Sequence, residues 1–188
     1  VVTMDLHADQ IQGFFDIPVD NLRALPIIEE DIRSKDRDDL MVVAPDVGGV
    51  VRARSLANRL NCPIAIVDKR RPAANVSQVM NIIGNVEGKT CVLFDDMIDT
   101  GGTIVNSAEA LMKNGAKAVL ACCTHAVFSG PAQQLLQQSP LKEVIVTDTI
   151  NISQDRMFPK LKVLSVASLF AEAIKRIFEE QPVSKLFD

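Results

Sequence analysis

Residues 92–104 read Val-Leu-Phe-Asp-Asp-Met-Ile-Asp-Thr-Gly-Gly-Thr-Ile, an apolar run followed by two adjacent carboxylates and a turn rich in Gly and Thr. The apolar run predicts a buried parallel strand, and the apolar spacing from Ile104 to Met112 predicts a helix after the turn. The turn therefore lies at the carboxyl end of a strand, where open α/β sheets bind ligands. This single stretch predicts both the class of fold and the place of the site.

The turn has the chemistry of a cradle for a sugar phosphate. The first turn of a helix offers unpaired backbone N–H groups and the positive end of its dipole to an anion. Residues 100–103 contain two glycines that allow a close backbone approach and two threonines that add hydroxyl donors. Asp95 and Asp96 repel a phosphate, so ribose hydroxyls or a divalent cation are their expected partners. Without a ligand, the two carboxylates would simply be solvent-facing residues at the end of a strand.

The alternation of strand and helix continues along the chain. Apolar runs predict strands at residues 1–6, 40–44, 63–67, 90–94, 118–123 and 143–146. Helical patterns lie at residues 21–35, 50–60, 103–114, 131–138 and 169–178, with Ser129 as the expected N-cap of the fourth. Residues 69–76 are basic and then rich in Pro and Ala, which predicts a mobile loop. The pattern predicts an α/β fold with a mainly parallel sheet covered by helices on both faces.

Composition argues against several classes of protein. The 188 residues are 47% apolar, and no apolar stretch approaches the roughly 20 residues of a membrane span. The net charge of −4 and the absence of Trp and Tyr argue against a nucleic-acid surface. The four cysteines lack metal-binding spacing, which predicts buried free thiols in a cytoplasmic protein. Cys122 and Cys123 are expected to face opposite sides of one strand.

Residues 95–103, Asp-Asp-Met-Ile-Asp-Thr-Gly-Gly-Thr, resemble the phosphoribosyl pyrophosphate (PRPP) motif of type I phosphoribosyltransferases and of ribose-phosphate pyrophosphokinases. Further segments are similar to the pyrophosphokinase family in particular: residues 5–7 (Asp-Leu-His), 44–49 (Ala-Pro-Asp-Val-Gly-Gly), 68–72 (Asp-Lys-Arg-Arg-Pro) and 124–132 (Thr-His-Ala-Val-Phe-Ser-Gly-Pro-Ala). The resemblance covers essentially the whole chain, in the same order and at spacings typical of bacterial members. By this resemblance the chain is identified as a member of the ribose-phosphate pyrophosphokinase family.

The resemblance implies a type I phosphoribosyltransferase-like fold and a division into domains. Family members consist of two related α/β halves, and this chain resembles the end of the first half and all of the second. We therefore expect a fragment in which residues 1–26 end an N-terminal domain and residues 27–176 form the C-terminal domain. Residues 177–188 are expected to form a tail that packs back on the N-terminal remnant. The contacts to adenine are expected in the half that this chain does not resemble.

The resemblance also implies roles for individual residues. Those expected to bind ribose 5-phosphate are Asp95, Asp96, Asp99, Thr100, Gly101, Gly102 and Thr103. Those expected to bind the phosphates of ATP are His7, Asp46, Val47, Gly48 and Gly49, and His7 and Asp46 would also bind Mg²⁺. Lys69 and Arg71 would stabilise the transferred group as catalytic residues, whereas the family pattern varies at Arg70. Ser184 and Phe187 match residues near a regulatory site, although Pro182 departs from the serine common there.

Each of these positions also has a purely structural interpretation. A lone His near a strand end, such as His7, is more often structural than catalytic. Asp46 would cap the helix over residues 50–60, and the basic run at residues 69–71 would be a hydrated loop. Three residues are expected to take no part in the site: Arg52 and Arg54 as surface charges, and His125 as a structural residue beside the helix over residues 131–138.

The resulting hypothesis is a ribose-phosphate diphosphokinase of nucleotide biosynthesis. It would transfer pyrophosphoryl from ATP, with Mg²⁺, to the C1 hydroxyl of ribose 5-phosphate and release PRPP and AMP. The alternative enzyme is a purine or pyrimidine phosphoribosyltransferase, although no base-binding hood is evident. The alternative outside enzymes is a non-catalytic regulatory subunit. The resemblance further implies a cytoplasmic homo-oligomer without nucleic-acid or membrane partners, and a fragment alone would lack most of the ATP site.

Overall fold

The computed structural model describes residues 1–70 and 79–187, without the side chains of residues 69, 70 and 79. The strands and helices are β1 (Val2–Met4), β2 (Asp20–Leu22), α1 (Leu25–Arg33), β3 (Leu40–Ala44), α2 (Val50–Leu60), β4 (Ile64–Arg70), β5 (Val79–Ile83), β6 (Thr90–Ile98), α3 (Gly102–Lys113), β7 (Ala118–Ala126), α4 (Ala132–Gln138), β8 (Glu143–Thr147), β9 (Leu161–Leu164) and α5 (Ala167–Phe178). Short 3₁₀ turns occupy Asp9–Phe14, Gln154–Arg156 and Val183–Leu186. No helix in this part of the chain is long and apolar enough to cross a membrane.

The main sheet has seven strands in the order β5-β4-β3-β6-β7-β8-β9, and β1 and β2 form a separate parallel pair. All neighbours in the main sheet are parallel except β4 and β5. Within the main sheet, the strand that comes first in the sequence is β3, and it lies between β4 and β6. The chain therefore builds the sheet first to one side of β3 and then to the other. The reversal between β3 and β6 is the kind of position at which open α/β sheets bind ligands.

Helices cover both faces of the sheet, as the sequence predicts. Helices α1, α2 and α5 pack into one apolar core, which contains Leu56, and α3 and α4 pack into the other, which contains Leu111. Successive strand residues alternate between the two cores because side chains alternate across a strand. Cys122 and Cys123 confirm this directly, since they enter opposite cores as buried free thiols.

Several predicted boundaries are wrong. The helical pattern over residues 21–35 begins in β2, where Leu22 pairs with Met4 and is fully buried, and α1 starts only at Leu25. Pairing with β1 thus outweighs the local helical pattern. Residues 69 and 70 extend β4 and do not begin a loop, while residues 71–78 lie outside the described residues. Pro131, and not Ser129, precedes the first residue of α4.

Two strands of the sheet have no counterpart in the sequence analysis. They are β5 and β9, the two edge strands, which have few or no fully buried residues to mark them. Edge strands carry weak apolar patterns because their outer side faces solvent. The division into domains at residues 26 and 176 stays a prediction.

Candidate functional site

Two loops lie side by side at the reversal of strand order. The β3–α2 loop contains residues 45–49, and the β6–α3 turn contains residues 99–101. Both contribute to one cavity of about 250 Å³. Among the residues that line it are six that the sequence singles out: Asp46, Asp95, Asp99, Thr100, Gly101 and Thr103. The structure therefore brings the two predicted phosphate loops to a single pocket.

The β6–α3 turn presents several donors without a protein acceptor. The backbone N–H groups of Gly101, Gly102 and Thr103 donate no hydrogen bond to any described residue, and the hydroxyls of Thr100 and Thr103 have no partner there. Gly101 adopts φ +79°, which favours glycine, and α3 begins directly after it. The free donors thus lie at the positive end of a helix, which is the arrangement that binds phosphate groups.

The β3–α2 loop is closed by its own side chain. Asp46 Oδ1 accepts a hydrogen bond from the backbone N–H of Gly49 at 2.9 Å. Gly49 is the N-cap of α2, so Asp46 ties the loop together and does not cap the helix as the structural interpretation expects. A Cβ at Gly48 would lie 3.3 Å from Asp46 Oδ1, a tight contact that the Asp46 side chain could accept only by shifting slightly. The N–H groups of Val47 and Gly48 have no acceptor within residues 1–70 and 79–187.

Asp95 and Asp96 belong to β6 itself and not to a turn after it. The strand ends at Ile98, beyond the predicted end at residue 94. Its pairing with β3 stops at Val43 opposite Leu93, and further along it pairs with β7. The end of β3 leaves the edge of β6 open at this level. The two carboxylates are therefore accessible from α2, which starts just beyond that end.

Arg52, in the first turn of α2, contacts both carboxylates. Its Nη1 lies 2.9 Å from Asp95 Oδ1, and its Nη2 lies 3.3 Å from Asp96 Oδ2. The prediction that Arg52 is a surface charge is wrong, because its side chain is only 28% exposed and forms the centre of this cluster. One signal in the sequence could have identified it. Two adjacent carboxylates at a buried strand require a nearby counter-charge, and Arg52 is the basic residue nearest the glycine loop.

His7 completes the cluster from the start of the chain. Its Nδ1 lies 2.6 Å from Asp96 Oδ2, while its own side chain is 73% exposed. A carboxylate only accepts, so Nδ1 carries the proton and Nε2 is left for another partner. The structure shows no direct contact between His7 and Asp46, the two predicted Mg²⁺ ligands. It does show the hydrogen bond from a ring nitrogen to a carboxylate that typically orients a metal-binding histidine.

The two carboxylates have opposite pKa shifts. Burial raises the pKa of Asp95 to about 6, and the charge of Asp96 adds to this increase although Arg52 opposes it. Burial also disfavours ionisation of Asp96, but the hydrogen bond with His7 and the charge of Arg52 outweigh it and lower the pKa of Asp96. The pair therefore carries one firmly held charge and a second that is neutralised at mildly acidic pH.

The acidic groups fit Mg²⁺ that arrives with a phosphate ligand. Among the residues that the structure describes, no three His, Cys, Asp or Glu side chains form a group that could hold a metal. Asp46, Asp95 and Asp99 nevertheless line one cavity. Mg²⁺ prefers oxygen ligands and usually binds through one or two carboxylates together with substrate phosphates. The donor set is compatible with such a shared ion and not with a closed metal centre.

The remaining predicted residues are less well defined. Arg71 and the side chain of Lys69 lie outside the described residues, although the backbone of Lys69 pairs with Met80 in the β4–β5 ladder. Because β4 is parallel to β3, it leaves the sheet at the edge that carries both loops. Ser184 is exposed in the last 3₁₀ turn, and Phe187 lines a second cavity of about 430 Å³, which Gly48 and Arg52 also line. Their regulatory role stays a prediction.

His125 is structural in a different way from that expected. Its Nε2 lies 3.1 Å from the carbonyl oxygen of Met4 and 3.2 Å from that of Asp5. These hydrogen bonds lead to the start of the chain and not to α4, and the expected place beside the start of α4 stays a prediction. His125 links β7 to the segment that carries His7.

Comparisons with known proteins identify relatives over the whole chain. Residues 69–188 match the family model described as "Phosphoribosyl synthetase-associated domain". The chain is 61% identical over 189 residues to a ribose-phosphate pyrophosphokinase of Clostridium acetobutylicum and 56% identical over 187 residues to one of Bacillus subtilis. Each alignment covers 100% of this chain and 59% of the relative. The chain thus spans less than two thirds of the length of these relatives.

Solved structures agree with the fold described above. The crystal structure of phosphoribosylpyrophosphate synthetase from Mycobacterium smegmatis has a TM-score of 0.89 and 46% identity, over 95% of this chain and 58% of that chain. An APRTase from Giardia lamblia has a TM-score of 0.51 and 17% identity, over 65% of this chain and 77% of that chain, which bears on the fold alone. The type I phosphoribosyltransferase-like fold predicted from the sequence is confirmed.

Proposed function

The chain belongs to the ribose-phosphate pyrophosphokinase, or PRPP synthetase, family, and from this premise we propose that it provides the sugar-phosphate site for pyrophosphoryl transfer from ATP to ribose 5-phosphate. The reaction would give PRPP and AMP. The observation that carries the proposal is the pocket at the reversal of strand order. There, free backbone donors at the start of α3 lie beside a carboxylate pair that Arg52 balances.

The sugar phosphate is assigned to the β6–α3 turn. Its phosphate would accept hydrogen bonds from the N–H groups of residues 101–103 and from the two threonine hydroxyls. Asp95, which lines the cavity, would accept hydrogen bonds from the 2- and 3-hydroxyls of ribose. Asp96 already accepts hydrogen bonds from His7 and from the N–H of Met97 and forms an ion pair with Arg52. Its main role would therefore be to hold the cluster together. Asp99 lines the same cavity and belongs to the same proposal.

The pyrophosphate of ATP is assigned to the β3–α2 loop. The N–H groups of Val47 and Gly48, which have no acceptor among the described residues, support this assignment. The N–H of Gly49 already donates to Asp46 Oδ1, so Gly49 would contribute by holding Asp46, which would bind Mg²⁺ next to the phosphates. When bound, Mg²⁺ would neutralise charge on the phosphoryl oxygens. His7 is proposed as a further ligand because its Nε2 has no partner among the described residues while Asp96 fixes the ring.

Lys69 and Arg71 are proposed to stabilise the transferred pyrophosphoryl group. Positioned cations act on charge that develops in the transition state, and loss of one such group typically costs on the order of 10³-fold in rate. The support is the position of the end of β4, which lies at the sheet edge that carries both loops.

Association into a homo-oligomer and a cytoplasmic location complete the proposal. The relatives are longer than this chain, which leaves room for a nucleotide site outside it. All four cysteines are free thiols, which is consistent with a reducing compartment.

The proposal is tested on the full-length protein that contains this sequence. With ATP and Mg²⁺, we expect AMP formation that depends on ribose 5-phosphate and is abolished by Asp95→Asn. The matched control is Asp38→Asn, an exposed carboxylate remote from the pocket, which should retain full activity. Release of pyrophosphate that depends on PRPP and a free base would instead support a phosphoribosyltransferase. Tight binding of ribose 5-phosphate without any turnover would support a regulatory subunit.

A further inference from the structure

A group of polar side chains joins the start of the chain to β7 next to His7. It contains Asp5, Thr124, His125 and Thr149. We propose that Thr124 and His125 are positioning residues, which fix Asp5 so that His7 stays in contact with Asp96. The inference rests on the proposed function of His7, but its test below does not depend on turnover.

Asp5 is held in an unusual conformation by several partners. It adopts φ 43°, a left-handed conformation that non-glycine residues rarely take, and it is only 8% exposed. Its Oδ2 accepts from the N–H of Ala24 at 2.9 Å and from the hydroxyl of Thr124 at 2.7 Å. Such a backbone conformation persists only where the surroundings determine it. The partners of Asp5 therefore set the direction in which the chain continues to His7.

His125 holds the same residue through its backbone. Nε2 faces the carbonyl oxygens of Met4 and Asp5, which only accept, so this nitrogen must carry the proton. Nδ1 lies 2.9 Å from the hydroxyl oxygen of Thr149, which in turn donates to the carbonyl oxygen of Thr124 at 3.1 Å. Asp5 is thus held at two points, since Thr124 donates to its side chain and His125 donates to its carbonyl oxygen.

The register of the sheet explains why this hold on Asp5 places His7 correctly. Asp95 pairs with Cys123 and Met97 pairs with His125, so that Asp96 lies level with Thr124. Strand β6 sets the position of Asp96 along the sheet. The neighbouring strand β7 holds Asp5 at the same level through Thr124 and His125. His7 is 73% exposed, so little packing of its own would keep it over Asp96. Without the hold on Asp5, side-chain and backbone entropy would favour release of this contact.

The test uses the histidine ring signals in ¹⁵N NMR, because the chain has only two histidines. Wild-type His7 should show a hydrogen-bonded Nδ1–H, and Asp96→Ala, which removes the acceptor, supplies the reference spectrum for its loss. His125→Phe and Thr124→Val remove the donors at similar volume, and both should lose the Nδ1–H signature of His7. His125→Gln and Thr124→Ser keep a donor and should retain it. Thr90→Val, another buried strand threonine far from the cluster, is the matched control.

A His7 signal that is unchanged in folded Thr124→Val and His125→Phe overturns the inference. Folding is checked by thermal unfolding, and if His125→Phe does not fold, the Thr124→Val and Thr124→Ser pair decides alone. Loss of the signal in Thr90→Val as well would show a general loosening and would equally overturn the proposal. Absence of turnover in the full-length protein, together with the expected His7 spectra, would contradict the proposed function and leave the positioning role standing.

Discussion

The two loops at the reversal of strand order hold their carboxylates in opposite ways. Asp46 accepts a hydrogen bond from Gly49, three residues away in the same loop. Asp95 is buried next to Asp96 and depends on Arg52, which comes from another element. The first carboxylate stabilises its own loop, whereas folding raises the pKa of Asp95 to about 6 and so disfavours its charge. Asp46 therefore stabilises the β3–α2 loop, whereas the ionised form of Asp95 lowers the stability of the folded protein.

The largest expected effect is on binding at the second loop. The double variant Asp95→Asn with Asp96→Asn should weaken ribose 5-phosphate binding by roughly 100-fold or more, because hydrogen bonds to charged groups contribute about 1.5 to 3 kcal/mol each. Isothermal titration calorimetry measures it. Asp46→Asn should change this affinity far less, since Asp46 is assigned to the other ligand. Equal losses in the two variants would remove the distinction between the loops.

The next effect is on stability as a function of pH. The folded-state pKa of Asp95, about 6, lies above the ordinary value of an Asp side chain, 3.8, so the stability that Asp95 contributes is complete below about pH 4 and lost as pH rises through 6. Asp95→Asn cannot ionise. Its stability relative to wild type should therefore rise by roughly 2 to 3 kcal/mol between about pH 4 and pH 7.5. Chemical denaturation at several pH values measures this, and parallel curves for the two proteins would contradict it.

Removal of the counter-charge should act in the opposite direction. Arg52→Ala leaves two adjacent carboxylates without their cation and should cost roughly 2 kcal/mol of unfolding free energy near pH 7.5. The cost should be smaller near pH 5, where Asp95 is largely neutral. Arg52→Lys keeps the charge but loses the simultaneous contact of two nitrogens with the two carboxylates. Its unfolding free energy should therefore lie between those of wild type and Arg52→Ala. Equal stability of Arg52→Ala and wild type would show that the cluster needs no counter-charge.

The first loop should respond with a smaller loss. Asp46→Ala removes the acceptor of the Gly49 N–H and should lower the unfolding free energy by about 1 kcal/mol, as for other side chains that close a loop before a helix. Asp46→Asn keeps an acceptor oxygen and should remain close to wild type. The sign is thus opposite to that for Asp95→Asn at neutral pH. If Asp46→Ala instead raised the unfolding free energy, Asp46 would destabilise the folded protein as ionised Asp95 does, and the contrast between the two loops would be wrong.

The smallest effect is expected at the turn itself. Thr100→Val removes a hydroxyl that has no partner among the residues described, so the unfolding free energy should change by less than about 0.5 kcal/mol. Affinity for ribose 5-phosphate should fall by roughly 3- to 10-fold, the contribution of one neutral hydrogen bond. Thr103→Ser, which keeps the hydroxyl, is the control. Unchanged affinity in Thr100→Val would leave the threonine without a role in binding.

Local signals in the sequence predict the loops but not what surrounds them. Gly101 and Gly102 after an apolar run mark the phosphate turn, and the alternation of elements predicts the sheet with helices on both faces. Arg52 is missed because its role depends on the end of β3 and the extension of β6, neither of which is visible in the residues around it. The strand at residues 20–22 is missed for the same reason, since only its pairing with β1 makes it a strand.

The contacts of His7 and His125 show the same limit. Each joins segments about 90 or more residues apart in sequence, Asp96 for His7 and the carbonyl of Met4 for His125. No local pattern carries such information. Family resemblance supplied the expectation that His7 matters, while the hydrogen bond with Asp96 supplies the physical reason.

The most direct measurement is a titration of the ¹⁵N-labelled protein with ribose 5-phosphate, followed by amide NMR. The largest shifts should occur at the N–H groups of Gly101, Gly102 and Thr103, and those of Val47 and Gly48 should respond only when a pyrophosphate ligand and Mg²⁺ are added. A saturating titration with no change at residues 101–103, or with its main changes elsewhere, would contradict a phosphate cradle at the start of α3.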